Sequence, residues 1–542
     1  MKIDLSTPEP AADQDAWNAL VAKAEPIDTR IAKLSRKDAS GVAYPLVAED
    51  AEAQETAPLG NQDDYRARFG KAPTWDVRAV LSYQDEISGN AQILDALNHG
   101  ATALELRVRQ LLNLDTDRLF ANVTRSFVEL VLVGDKTVSS QELHALRMKL
   151  QDFKGYTWVI PDPAISFPQC DKNTKHALSS LEAVDLGSDS ALEIAYLLSS
   201  AVAYHRQETL ESAERNPLSL YVTTESTLFA NIAKLRALKR LFEGVRSSLG
   251  ITKPWELLTL SSPRAWTCDA PWNNQLRATA SLMGASIGGA TSIGVLPATA
   301  TIESQRVALT AHSVAALESN LGQVDDPARG SYLIESLTRD LAELSWSYFQ
   351  ALESKGGIGT TDGRADFVQR ASQALAKRDE DLAHRRRKYV GVNEFPSLED
   401  EKSQVLSAIE NHPRDSQELE ALRHAEGTLE TRLVTLGTPA RHLGRKTFAE
   451  HALASGGLSP SSIDLHDALS TDFTGIQILC GHDEDYEEAK QDISKFLESG
   501  SGHTFIASKS ALKDTFNPED RLYLGMNLMD FLKRITLKVK EA

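Results

Sequence analysis

The chain has 542 residues, 42% of them hydrophobic and 25% charged, which fits a soluble globular protein of two or three domains. A formal net charge of −18 disfavours broad binding to nucleic acid or to an anionic membrane surface. Cys170, Cys268 and Cys480 lie far apart without zinc-site spacing, no apolar run is long enough for a bilayer, and the N-terminus lacks a signal-peptide core, so a cytoplasmic protein with no membrane partner is expected.

Residues 1–72 show no core of their own; Trp17, Leu20 and Val21 could make a short amphipathic helix, and the rest is acidic and loop-like. From Trp75 the pattern changes. Strand-like runs stand at TWDVRAVLS, ATALELRV, SFVELVLVG, YTWVIP, HALSSLEAVDL, LSLYVTTES, ELLTLSS and TSIGVLPA, mostly separated by helical or loop segments. Eight β-then-α units of this size match a (β/α)8 TIM barrel, with a doubly wound open sheet as the alternative. Before the last run, Pro271 suits a first helical turn, and Leu276, Ala280, Met283 and Ile287 repeat as one apolar helix face. Gly288 and Gly289 then end that helix.

Residues 301–360 look helical, and residues 361–430 are dense in charge, a helical linker. The run Arg385 to Lys388 reads as a solvated helix face; it could meet an acyl-CoA phosphate only if folded against the barrel mouth. A second α/β domain begins near Thr431. RLVTLG, GIQILCG and HTFIAS are strands; KTFAEHALAS and a stretch with Tyr486, Ala489, Ile493 and Phe496 on one face are helical, and RLYLGMNLMDFLKRI closes the chain.

The block DAPWNNQLRAT, a helix and GGATSIGVLPAT, followed by Glu318 to Ile358 and by YVGVNEFP, resembles methylmalonyl-CoA mutases, as does the closing LYLGMNLMDFL. The resemblance covers about Trp75 to the C-terminus. It implies a TIM-barrel acyl-CoA mutase-like domain over 73–360, the linker over 361–430, and a flavodoxin-like, degenerate cobalamin-binding-like domain over 431–542. It also implies that residues 1–72 form an N-terminal arm packing on a partner subunit, with Trp17 and Leu20 as anchors.

Cobalamin domains of this family carry Asp-x-His-x-x-Gly after their first strand, the histidine coordinating cobalt and the aspartate orienting it. The corresponding loop here reads GTPARHLGRK. Aligning on Gly444 puts Pro439 at the aspartate position and Arg441, which has no lone pair, at the histidine position. His442 is one residue out of register. Asp464 to Leu469 imitates half of the motif but follows the wrong element and reads better as a helix turn capped by Asp464.

In the barrel, catalytic chains of the family have a histidine that donates to the substrate thioester carbonyl. The matching stretch SSLEAVDLGSDSALEIAY places Glu182 there, an anion unsuited to polarising a carbonyl. His176 reads as a surface or strand-end histidine. The family's TAEESNAFY-type segment is also replaced, by QDEISGNAQILDALNHGATALELRV, as small subunits have it. Asp325 and Asp326 read as a turn, and no phosphate loop or nucleophile elbow is present.

The resemblance therefore implies the non-catalytic small (β) subunit of a heterodimeric mutase interconverting (R)-methylmalonyl-CoA and succinyl-CoA. No catalytic, cofactor-binding or metal residue is assigned to this chain, and adenosylcobalamin is expected on the partner large (α) subunit. The alternatives are a catalytic acyl-CoA mutase chain using cobalamin from another subunit, and an assembly or chaperone-like protein for a mutase.

Overall fold

The computed structural model describes residues 19, 36–44, 74–134, 137–161, 174–207, 218–399, 402–425, 430–498 and 502–541. Trp17, Leu20 and Cys170 lie outside them. Each of the eight apolar runs contains a strand: β1 (Asp76–Val80), β2 (Ala103–Arg107), β3 (Glu129–Val133), β4 (Gly155–Ile160), β5 (Thr174–Ser179), β6 (Leu218–Thr224), β7 (Leu257–Ser261) and β8 (Ser292–Val295). Each pairs in parallel with the next, and β8 returns to β1 with Ser292 opposite Asp76, so the sheet closes into a barrel.

Alternation along the strands separates two cores. Leu104, Leu106, Leu130, Leu132, Leu220 and Val222 face outward and pack with helix residues such as Leu198 and Phe242. Val131, Val133, Val159, Ala177, Tyr221, Leu258 and Leu260 fill the inside.

Charge is built into that interior. Arg78 on β1 is fully buried and donates to Glu105 on β2 at 2.8 Å, to the Ser292 hydroxyl at 2.9 Å and to the Thr259 carbonyl. Tyr221 on β6 donates to the same glutamate at 2.9 Å. One hydrogen-bonded group thus ties five strands across the barrel axis, and with both charges satisfied the cost of burying them is offset. At the opening of β5, Lys175 bridges Glu256 at 2.8 Å and Glu129 at 3.2 Å. Gly294 on β8 leaves the space the arginine needs: a Cβ there would stand 2.9 Å from one guanidinium nitrogen and 3.2 Å from its central carbon.

The second sheet holds β9 (Thr431–Thr435), β10 (Ser461–Asp464), β11 (Ile476–Cys480) and β12 (His503–Ile506) in the order β10-β9-β11-β12, all parallel. This is the flavodoxin-like order without a full fifth strand. In the place of a fifth strand a single parallel bridge joins Ile506 to Arg521. Helices cover both faces, with Ala449, Leu453 and Phe531 on one and Tyr486, Ile493 and Phe496 on the other.

Three local expectations change, and a fourth, at Asp464, holds with an addition. The helix Asn273–Ile287 does not bury the face carrying Leu276, which is 70% exposed; Ala278, Leu282 and Ala285 face inward instead. Small residues decide this, because a Cβ at Gly284 would come within 2.7 Å of Asn231 and the helix sits close on its small face. The helix expected over KTFAEHALAS begins seven residues earlier, at Pro439, whose fixed φ suits the first turn. Asp464 does cap a helical turn, accepting from the His466 N–H, but Ser461–Asp464 is also an edge strand. A hairpin pairing Arg36–Lys37 with Ala43–Tyr44, inside the stretch expected to dock on a partner, packs on this chain's own barrel: Val42 is buried in the outer core, and the Ala191 N–H donates to Ser40.

Gly294→Ala should destabilise the barrel by about 1–3 kcal/mol, because the clashing arginine is pinned on three sides. A urea unfolding curve with an unchanged midpoint would mean that Arg78 is free to move.

Candidate functional site

Sites in a parallel barrel form where the strands end, at the C-terminal mouth. Here that mouth is filled by the chain itself. Residues 402–412 run across it, with a single 3-10 turn at Ser407–Ile409. Leu406 and Ile409 are fully buried and Ala408 nearly so, packed with Val80, Val133, Val159, Leu260 and Leu296 from the strand ends. The backbone of this segment is tied to the barrel: Ser407 N–H donates to the Ser82 hydroxyl at 2.8 Å and Ser403 N–H to the Cys268 carbonyl at 3.0 Å.

A buried charge cluster fixes the segment's far end. Asp415 accepts from Arg264 at 3.1 Å, Arg378 at 2.8 Å and the Tyr389 hydroxyl at 2.7 Å. Burial alone would lift its carboxyl, but Arg378 and Arg387 outweigh that and hold it below the ordinary range. Arg378 and Arg387 also pair with Glu225, just beyond β6, whose carboxyl they depress in the same way against burial. The run Arg385 to Lys388 is therefore a turn rather than a helix face, and it is only half solvated: Arg386 and Lys388 are exposed, whereas Arg385 and Arg387 turn inward. Arg385 and Lys388 pair with Glu394, Arg386 with Glu380 and Asp381, and Arg387 with the buried cluster, because carboxylates from three elements converge on a turn that enters the left-handed region at Arg385.

Glu182 and His176 do not meet in a reaction centre. Glu182 accepts from the Tyr196 hydroxyl at 2.8 Å and pairs with Arg364. His176 is buried rather than on the surface, 2.5 Å from the Tyr204 hydroxyl, and burial pushes its pKa down to about 4. Asp326 holds Arg236 together with Glu335, a structural cluster. Beside the plug a cavity of about 850 Å³ remains, bordered by Arg107, Glu182, Asp185 and His412. His412 Nδ1 lies 2.9 Å from Asp185. Sequence reading passed over Arg107, Asp185 and His412. Arg107 alone carried a signal, a second charge two residues after Glu105 on the inward face of an apolar strand.

The second candidate crevice opens at the carboxyl ends of β9 and β11, where a sheet of this order reverses direction and binds ligands. Arg441 and His442 lie in the first helical turn after β9. Arg441 reaches across to Asp485 at 2.8 Å and Glu484 at 2.9 Å, and Arg445 to Asp483 at 2.8 Å and the Gly481 carbonyl at 2.7 Å. All three acids stand in the first turn after β11, so the two loops are bridged. The Asp485 carboxyl fills the approach to Gly437, where a Cβ would meet it at 2.8 Å. Burial would raise that carboxyl, but the His482 N–H and Arg441 hold it below its usual range. His442 Nδ1 lies 3.3 Å from the Leu436 carbonyl. Among the described residues no cluster of three or more His, Cys, Asp or Glu has metal-holding geometry.

A family model described as methylmalonyl-CoA mutase matches residues 171–451. The probable methylmalonyl-CoA mutase small subunit of Mycobacterium tuberculosis (strain ATCC 25618 / H37Rv) is 29% identical over 390 residues, covering 66% of this chain and 63% of that protein, so the match spans slightly less than two thirds of the relative's length. The methylmalonyl-CoA mutase small subunit of Propionibacterium freudenreichii subsp. shermanii is 25% identical over 534 residues, covering 86% of this chain and 83% of that protein. Among solved structures, the carboxyl transferase domain of Rhizobium etli pyruvate carboxylase with oxalate aligns at 11% identity over 62% of each chain with a TM-score of 0.26, too weak a likeness to carry an argument.

Leu406→Ala should cost about 2–5 kcal/mol, as for a fully buried leucine, and speed amide exchange across residues 402–412. Leu398→Ala, at a half-exposed position of the same connector, should stay within about 0.5 kcal/mol. Equal, small effects at both positions would show that the plug is not packed.

Proposed function

This chain belongs to the methylmalonyl-CoA mutase family, and we propose that it is the non-catalytic small subunit of a heterodimeric, adenosylcobalamin-dependent enzyme interconverting (R)-methylmalonyl-CoA and succinyl-CoA. The carrying observation is the bridged crevice of the second domain. Arg441 stands where the family places its cobalt-binding histidine and is committed to Asp485 and Glu484. These residues do not fit a corrinoid: the guanidinium has no lone pair, Pro439 cannot orient a ligand, and the acids of the facing loop occupy the approach. In this reading the cofactor and the radical chemistry belong to the large subunit.

The barrel supports the same reading. Leu406 and Ile409 occupy the mouth, and Arg78 with Glu105 and Tyr221 crosses the axis below them. At the position matched to the family's carbonyl donor, Glu182 is engaged by Tyr196 and Arg364. The two relatives named above are small subunits, and those names support a partner in this reading: a large subunit joined to this chain in a heterodimer. Among the described residues no helix is long and apolar enough to cross a membrane.

Coexpression with a large subunit of the family should give a one-to-one complex on sizing, with turnover that this chain lacks when isolated. In that complex Glu182→Gln should leave kcat within about twofold, since the group touches no reacting atom. Isomerisation by the isolated chain, or a loss above about tenfold from Glu182→Gln in an assembled complex, would place chemistry in this barrel instead.

A further inference from the structure

The cavity beside the plug is bordered by a cation whose ion pair is long and shared: Arg107 faces a carboxylate at 3.8 Å that other groups already hold. Arg107 ends β2 with its side chain 15% exposed, and one of its guanidinium nitrogens is buried without a hydrogen-bond partner. Its nearest carboxylate oxygen, Glu105 Oε1, is 3.8 Å away, beyond hydrogen-bonding distance. That glutamate is already committed to Arg78 and Tyr221. Two arginines thus share one carboxylate inside the barrel, leaving a net positive charge where burial makes an unmatched charge costly.

The walls state what could match it. Val133, Val159, Leu181 and Ala408 supply apolar surface on two sides. The acids around the rim are largely answered: Glu182 by Arg364 and Asp185 by His412. Glu410 and Arg109, the latter donating to the Thr137 hydroxyl at 3.1 Å, remain and offset one another, so the unmatched charge is the single one at Arg107. A volume of about 850 Å³ is in the range of small-molecule sites. We infer that this cavity binds a monoanionic carboxylate with a short aliphatic body, its carboxylate on Arg107 and its hydrocarbon against Val133, Val159 and Ala408. The site binds and does not react: the plug bars the barrel axis beneath it. The inference is independent of the subunit assignment, because it rests on this chain's own cavity.

The test uses the full chain, alone and in complex, titrated calorimetrically with butyrate, with its neutral isostere butyramide and with inorganic phosphate. Butyrate should bind at least tenfold more tightly than butyramide or phosphate. Arg107→Gln should abolish the preference for the anion, and Arg107→Lys should retain it within about threefold, each with a melting curve beside it. If the arginine variants fail to fold, the wild-type ranking still decides. Butyrate binding no tighter than butyramide, phosphate binding more tightly than butyrate, or no binding at all would overturn the inference, as would a folded Arg107→Gln that binds butyrate normally.

Discussion

Asp415 is a carboxylate without solvent exposure, and the arrangement of the whole chain turns on how it is satisfied. Arg264 reaches it from the loop after β7, Arg378 from the helix Thr361–Ala383, and Arg387 and Tyr389 from the turn beyond that helix. Glu225, just beyond β6, takes the other side of Arg378 and Arg387. Taking one partner from such a cluster leaves a buried charge uncompensated, a loss of about 3–5 kcal/mol. The cluster therefore fixes the connector at its Asp415 end, and that placement seats Leu406 and Ile409 in the barrel mouth.

The same connector sets the second sheet against the barrel. Asp269, in the loop that opens the helix Asn273–Ile287, accepts from Arg423 at 3.0 Å and lies 2.6 Å from His424 Nε2. Arg423 also donates to the carbonyl of Val392 at 2.9 Å, so the turn after the charged run, the short helix Gln417–Arg423 and the barrel are bound together. In both halves of the molecule part of the surface on which a fold of its kind places ligands is taken up by the chain's own side chains. A hydrophobic plug does this in the barrel, and arginine–carboxylate bridges do it in the sheet. Each bridge at a partly exposed arginine is individually weak, but together they join two loops that a ligand would have to separate.

The strands were legible because each is a short apolar run, buried on both sides, between glycines and polar turns. The plug was not. Val405, Leu406, Ala408 and Ile409 make a brief apolar patch inside a charged segment, with no periodicity to mark them as core. The edge strand Ser461–Asp464 escaped for the opposite reason, being polar and mostly exposed. Leu276 misled because counting large residues cannot register a helix that packs on glycine and alanine. At the candidate sites, the sequence carried the substitutions at Pro439, Arg441 and Glu182 through family resemblance alone. That Arg441 bridges to Asp485, or that Arg78 and Tyr221 hold the carboxylate nearest Arg107, depends on residues brought together from distant parts of the chain, and no local pattern encodes it.

Arg441 and Arg445, bridged to the acids after β11, are proposed to close the second domain's crevice to a corrinoid. The isolated chain, mixed with adenosylcobalamin at micromolar concentration, gel-filtered and scanned in the visible range, tests this closure most directly. The corrinoid should elute with the small molecules, and the protein fraction should carry no visible spectrum. A stoichiometric corrinoid spectrum on the protein, abolished by His442→Ala, would contradict it and make His442 the axial ligand.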